Sequence, residues 1–175
     1  MKRRETKVIE KGSPIFDKAK WVAKARSKDT YRYGMQGIYV SEDGKWIATD
    51  GHRMHIWNNA PEYAPGLYQV VDTTKVITLT PDDDNQFPKW ENVVPNYEKE
   101  FAQSLHFGDK AKSDYAGNSI AVFKLFDATK ACFNLSFLTD LGDHSWDVYG
   151  EDPDHSFHFK NETLEVVMMP LKVKD

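Results

Sequence analysis

The sequence predicts an α+β fold built from two halves, each with one helix and an antiparallel sheet. In the first half, the Ser13-Pro14 pair opens a helical pattern, and several short strand-like runs follow it. In the second half, a shorter helical pattern ends at Gly142 and three strand-like runs follow. This order, with short turns between strands, is typical of helices packed on antiparallel sheets.

Composition and charge indicate a globular chain, and its cysteine usage fits a reducing cytoplasm. Its 175 residues are 40% hydrophobic and 13% aromatic, which is enough to bury a core. No apolar run is long enough to cross a membrane, and the basic N-terminus lacks the apolar core of a signal peptide. The single Cys132 excludes an internal disulfide, and its apolar neighbours predict a buried structural thiol. The net charge of -4 excludes a surface that is basic all round but permits a local basic patch.

The first helix is expected to begin at about Ile15, with Ser13 as the N-cap and Pro14 at the first helical position. One arc of this helix is apolar and should face the core. Lysines at i, i+4 spacing occupy the opposite side, either as a solvated face or as a stripe that faces phosphates. The core arc consists of Ile15, Phe16, Ala19, Val22 and Ala23, and the lysines are Lys20, Lys24 and Lys28.

The rest of the first half reads as short strands. Val8 and Ile9 predict an edge strand, and Asp43-Gly44 predicts a two-residue hairpin turn within Ser41–Lys45. An acidic loop at residues 81–85 and an extended segment from Phe87 to Pro95 should follow. The further strands predicted are 30–40, 46–48, 55–57, 66–71 and 75–79.

The second half should contain one short helix and several strands. Residues 97–107 fit a helix or a strand equally well, and 110–118 read as a loop. Residues 134–141 predict a helix that is closed by Gly142. The predicted strands are 119–126, 146–149, 157–159 and 163–173, with turns at 152–154 and 160–162.

The stretch Ala48-Thr49-Asp50-Gly51-His52-Arg53-Met54 joins two of these strands. Its Asp-Gly pair should break the first strand, and Gly51 suits a backbone with positive φ. We therefore expect His52 and Arg53 at the sheet margin.

Three motifs in this chain resemble those of one family, the bacterial DNA polymerase III β subunit, or DNA sliding clamp. Residues 49–54 resemble its T-D-G-H-R-L motif, 87–95 its F-P-D-Y-x-x-V-L-P linker, and 167–173 its C-terminal V-V-M-P-M-R-L. Residues 133–141 are also similar to the F-N-V-S-Y-L-x-D-x-L helix of the last clamp domain. The resemblance implies one DNA-clamp-like domain with two pseudo-two-fold halves, 1–80 and 98–175, joined by a linker at 81–97.

The resemblance further implies a non-enzymatic protein of DNA replication or repair, without cofactor or metal. In the family, the three motifs form a hydrophobic cleft for short peptide motifs of polymerases, clamp loaders and repair proteins. An adaptable apolar floor suits such a task, as do a few polar anchors at the rim, which the resemblance assigns to His52 and Arg53. Carried over, the cleft comprises Thr49, Gly51, His52, Arg53, Met54, Pro88, Val93, Val94, Val167, Met169, Pro170, Leu171 and Lys172.

Two alternative functions are weighed against peptide binding. One is a self-assembling miniature clamp, a homo-oligomer that encircles double-stranded DNA as a processivity factor. The other is a metal-dependent hydrolase that uses Asp50, His52 and His55, although His-x-x-His pairs on strands place their rings on opposite faces. The DNA-facing residues of the miniature clamp are Lys18, Lys20, Lys24, Arg26 and Lys28.

Overall fold

The computed structural model describes residues 4–96, 102–106, 120–125, 129–150 and 154–172. The chain forms two compact units, Met1–Trp90 and Glu91–Asp175. Their boundary falls inside the segment predicted to link the two halves. Among the described residues, no helix has the length and apolar content needed to cross a membrane.

Unit 1 (Met1–Trp90) is a sheet of antiparallel strands with one helix on it. The strands are β1 (Lys7–Glu10), β2 (Gly37–Val40), β3 (Trp46–Thr49), β4 (Arg53–Trp57), β5 (Gly66–Asp72) and β6 (Val76–Asp82). Their order in the sheet is β1-β6-β5-β2-β3-β4. The helix α1 (Phe16–Ala23) contacts strands β2 to β6.

Helix α1 buries the predicted arc with two changes. Phe16, Ala19, Val22 and Ala23 are buried, but Ile15 is only half-buried and Trp21 joins the core. The N-cap prediction is wrong, because the helix begins one residue late and no side chain caps it. The hydroxyl and carbonyl of Ser13 instead accept from the backbone of the turn that leads into the helix.

The strand predicted at 30–40 is too long, because regular pairing begins only at Gly37. Residues Tyr33–Met35 form a 3₁₀ turn instead. At Gly34 the chain passes so close to the Gln86 carbonyl that a β-carbon would collide with it. This contact between two distant segments explains why the alternating pattern of the sequence does not continue as a strand.

The hairpin between β2 and β3 is longer than the predicted two-residue turn. Val40 pairs with Trp46, and Ser41 N donates to Lys45 O at 2.9 Å. Gly44 has φ of +79°, so it follows the turn as a left-handed residue of a bulged hairpin. The Asp-Gly signal therefore located the hairpin but not its length.

Strand β6 continues through Pro81 and Asp82, which the sequence assigned to a loop. Proline is tolerated because β1 pairs only with Val76 to Leu79, so β6 is an edge strand beyond that point. There the Arg4 guanidinium donates to the carbonyls of Leu67 (2.7 Å) and Asp82 (3.2 Å). Arg4 also pairs with Asp83.

Unit 2 (Glu91–Asp175) contains strands β7 (Ala102–His106), β8 (Ile120–Leu125), β9 (Thr129–Asn134), β10 (Ser145–Tyr149), β11 (Phe157–Lys160) and β12 (Leu164–Met168). Four of them form an antiparallel sheet in the order β7-β10-β11-β12, and β8 and β9 form a separate pair. The short helix α2 (Leu135–Thr139) follows β9. Phe133 packs edge-to-face on Phe157 (5.2 Å) and Phe159 (5.9 Å), which joins β9 to β11.

The predicted helix and the strands β8, β10 and β11 are confirmed, and Cys132 is buried as expected. Of the segment left open between helix and strand, Ala102–His106 is a strand. Strand β9 was missed. The last strand was predicted to continue to residue 173 but ends at Met168. Pro170 has no amide proton to donate to a neighbouring strand. Beyond it, Leu171 N donates to Cys132 O of β9 at 2.7 Å. The predicted loop 110–118, and residues 97–101, 107, 119, 126, 152–153 and 173, lie outside the described residues.

Removal of the Asn134 side chain should loosen helix α2. The Asn134 Oδ1 atom accepts from Ser136 N at 3.0 Å, which makes Asn134 the N-cap. We expect Asn134→Ala to lower the free energy of unfolding by about 1 kcal/mol. Guanidinium denaturation followed by far-ultraviolet circular dichroism measures this change. The exposed Ser136→Ala variant is the control, because it keeps the capped amide and loses only the hydrogen bond from its own hydroxyl to Asn134 Oδ1 (2.7 Å). An equal loss in both variants would contradict the capping of the Ser136 amide.

Candidate functional site

The loop that joins β3 to β4 in unit 1 is held by its own side chains. Asp50 Oδ1 accepts from the amides of His52 (2.8 Å) and Arg53 (3.0 Å). Thr49 Oγ1 accepts from Gly51 N at 3.1 Å and donates to Arg53 O at 2.7 Å. Gly51 has φ of +91°, as predicted from the Asp-Gly pair. The loop therefore presents an exposed tip, Gly51-His52, on a hydrogen-bonded base.

Arg53 lies inside unit 1 rather than at an exposed rim, which corrects the expectation from sequence. It is 7% exposed. One guanidinium nitrogen donates to Lys24 O at the end of α1 at 2.7 Å, and Nε lies 3.5 Å from Asp50 Oδ2. Thr49 and Met54 are also buried. Of the predicted loop residues, only Gly51 and His52 are exposed.

His55 is fully buried two residues further along β4. Its Nδ1 lies 2.8 Å from Trp21 O, and its ring stacks on the Trp21 indole with centroids 4.2 Å apart. Burial, assisted by the positive charge of Arg53, lowers the pKa of His55 to about 3. The imidazole is therefore neutral at pH 7 and donates its Nδ1 proton to the carbonyl.

The hydrolase alternative finds no support in this geometry. His55 is enclosed against Trp21, while His52 is exposed and the Asp50 carboxylate is bonded to the loop. The described residues contain no group of three or more His, Cys, Asp or Glu side chains placed to hold a metal ion. In the second His-x-x-His pair, His158 Nε2 lies 3.0 Å from Glu165 Oε1.

A groove beside the loop was not found from the sequence. It has a volume of about 460 Å³. Tyr31 and Tyr33 are 88% and 56% exposed, unusually high for aromatic side chains. Arg32 donates to Asp50 O at 3.4 Å and so joins the groove to the loop. The lining includes Tyr31, Arg32, Tyr33, Met35, Gln86 and Pro88.

The segment that contains Pro88 is partly fixed. Phe87 stacks on Tyr39 with centroids 5.1 Å apart, and Pro88 is exposed. The expected extended run does not continue, because Trp90–Val93 form a 3₁₀ turn. Trp90 is buried in this turn with Lys45 Nζ 5.5 Å from its ring, whereas Val93 is exposed and Val94 is half-buried.

The C-terminal motif in unit 2 divides into a buried and an exposed part. Val167 is buried within β12. Met169 and Leu171 are 43% and 36% exposed, and Pro170 between them is half-buried. Lys172 is exposed and pairs with Asp154 at 3.5 Å. This segment offers two apolar side chains beside one cation.

The residues expected to face DNA are not one continuous stripe. Helix α1 ends at Ala23, so Lys28 lies beyond it. Lys20 forms an ion pair with Asp72 at 3.0 Å. Arg26 donates to Val70 O at 3.0 Å. Lys18 lies over the Trp57 ring. Lys24 and Lys28 are exposed. A DNA-facing role for this set stays a prediction.

Comparison with known proteins identifies the fold. No family model and no curated protein matches the sequence. Among solved structures, the DNA polymerase III β subunit of Thermotoga maritima matches with a TM-score of 0.65 and 13% identity, over 99% of this chain and 67% of that one. The β chain of Streptococcus pneumoniae matches with a TM-score of 0.66 and 11% identity, over 99% and 66%.

A third similar structure is the Helicobacter pylori β clamp bound to a DNA ligase peptide, with a TM-score of 0.61 and 13% identity, over 98% of this chain and 67% of that one. The chain thus spans about two thirds of these clamps. The predicted α+β sliding-clamp fold is confirmed.

Proposed function

We propose that this chain is a sliding-clamp-like, non-enzymatic protein of DNA replication or repair that binds short peptide segments of replication proteins. The observation that carries the proposal is the exposed Gly51-His52 tip next to a groove lined by exposed aromatic side chains. Aromatic side chains that remain exposed beside a concave surface are characteristic of interaction sites.

The chemistry of the groove suits an extended peptide with one large apolar side chain. Tyr31, Tyr33, Met35 and Pro88 provide apolar surface, and methionine adapts to varied partners. Polar anchoring falls to the exposed His52 ring and to Arg32. A pocket with a few polar groups is the usual basis for recognition of extended peptides.

The exposed C-terminal residues of unit 2 are proposed as a separate peptide contact. Met169 and Leu171 present apolar surface there, and Lys172 stands where the family has arginine. The peptide-bound Helicobacter pylori clamp has a similar fold, which supports a peptide as the ligand class. Buried members of the predicted cleft, such as Met54, then shape the surface rather than touch the peptide.

Titration of a labelled peptide tests the proposal. We expect saturable binding of a fluorescent peptide that carries a glutamine followed by large apolar residues, the type that clamps recognise. His52→Ala, Tyr33→Ala and Met169→Ala should each weaken binding by about 1–3 kcal/mol, the range of interface hot spots.

Val71→Ala is the matched control for this titration. Val71 is an exposed apolar residue of β5 that lies outside the groove and the predicted cleft, so its removal should leave the affinity unchanged. The absence of saturable binding at high micromolar protein would contradict the proposed function. If Val71→Ala weakens binding as much as the other variants do, the groove is not the peptide-binding site.

A further inference from the structure

Every second residue of β4 contacts helix α1. Arg53 donates to Lys24 O, His55 to Trp21 O, and the Trp57 ring lies under Lys18 Nζ at 5.7 Å. The contacted residues step back along α1 by three each time, as expected where a strand crosses one face of a helix. The start of β4 is therefore fixed to the end of α1.

The contact of Arg53 continues into the exposed loop. Arg53 Nε lies 3.5 Å from Asp50 Oδ2, while the other oxygen of Asp50 accepts from two loop amides. The Asp50 carbonyl in turn accepts from Arg32 of the groove. A continuous path of polar contacts thus runs from the end of α1 through Arg53 and Asp50 to the groove.

We propose that Asp50 and Arg53 are positioning residues that hold the Gly51-His52 tip in the shape presented to a peptide. This inference rests on the proposed function, and it reassigns Arg53 from a cleft contact to a support behind the loop. Arg53 is buried, donates a hydrogen bond to Lys24 O and forms an ion pair with Asp50. His52 is the polar residue of the loop that contacts the ligand.

Asp50 suits this role because its two carboxylate oxygens perform different tasks. Oδ1 orders the backbone of the tip, and Oδ2 balances the buried charge of Arg53. Asp50→Asn keeps an oxygen for the amides but removes the charge. Arg53→Lys keeps the charge but loses the planar fork that reaches Lys24 O and Asp50 together.

Amide hydrogen exchange of the ligand-free protein tests the inference without a peptide. We expect Asp50→Asn and Arg53→Lys to speed exchange of the His52 and Arg53 amides at least about tenfold, with the core strands unchanged. His52→Ala is the matched contact variant, and its Arg53 amide should exchange as in the parent chain. Asp50→Ala, which removes both acceptors, should show the largest effect.

Peptide affinity supplies the second measurement. Asp50→Asn and Arg53→Lys should each weaken binding about 5- to 50-fold, and the double variant should lose less than the product of the two single losses. Unchanged exchange in both single variants would overturn the positioning role, as would an affinity loss confined to the Arg53 variant. If the two variants exchange faster but the parent chain binds no peptide, Asp50 and Arg53 still hold the loop, and only the proposed function is refuted.

Discussion

Acidification is expected to destabilise unit 1 well before its carboxylates titrate. His55 is fully buried and its pKa falls to about 3, against a usual value of 6.5. Below pH 6.5 the unfolded chain takes up a proton that the folded chain does not. The free energy of unfolding therefore decreases as the pH is lowered from 6.5 to about 3. Each pKa unit is equivalent to about 1.4 kcal/mol, so the full shift corresponds to roughly 5 kcal/mol.

Most of the change that can be measured before carboxylates titrate lies between pH 6.5 and 4.5, where we expect this residue to lower the free energy of unfolding by roughly 2 kcal/mol. Urea denaturation across this range measures it. His55→Asn is the control, because its amide nitrogen, attached to Cγ as Nδ1 is, retains a donor for Trp21 O but does not titrate. The slope of stability against pH should flatten in this variant. An unchanged slope would show that His55 is not the group responsible.

Gly34→Ala is the second change with a large expected effect. A β-carbon at Gly34 would overlap the Gln86 carbonyl, a backbone atom that cannot rotate away. The turn Tyr33–Met35 and the segment around Gln86 must then separate. We expect a loss of about 3 kcal/mol in the free energy of unfolding, at the upper end of overpacking costs.

Gly44→Ala separates this clash from the general cost of replacing glycine. Gly44 has positive φ but open space around its missing side chain, so the substitution should cost about 1–2 kcal/mol. Because Gly34 lies in the groove, its variant should also weaken peptide binding at temperatures where the fold persists. Equal losses of stability in the two variants would contradict the close approach to Gln86.

Local chemistry explains which parts of the fold were predictable. The Gly51 turn and the helix that follows Asn134 each depend on residues within a few positions of one another, so short patterns reveal them. Strand β9 escaped because its apolar run is short and leads directly into α2. The sequence around Tyr31 and Tyr33 has the alternating pattern of a strand. Its backbone forms a turn instead, because it packs closely against the distant Gln86.

The same distinction applies to the candidate site. The motif at residues 49–54 indicated the loop, but not that Arg53 turns inward to a carbonyl 29 residues earlier in the chain. Nor did it indicate that His55 would be enclosed by Trp21. The groove is formed by residues 31–35 and 85–88, which are distant in sequence and become neighbours only in the folded chain.

The Arg4 contacts at the end of β6 have a consequence for how the protein behaves in concentrated solution. A strand that outruns its neighbour exposes backbone groups to which another chain can add, and this is a common route to aggregation. Here the Arg4 guanidinium donates to the carbonyl of Asp82, and the short strand β1 carries the charged residues Lys7 and Glu10. Addition of a foreign strand would have to displace Arg4 and bury these charges, so this edge of the sheet resists fibril-like growth.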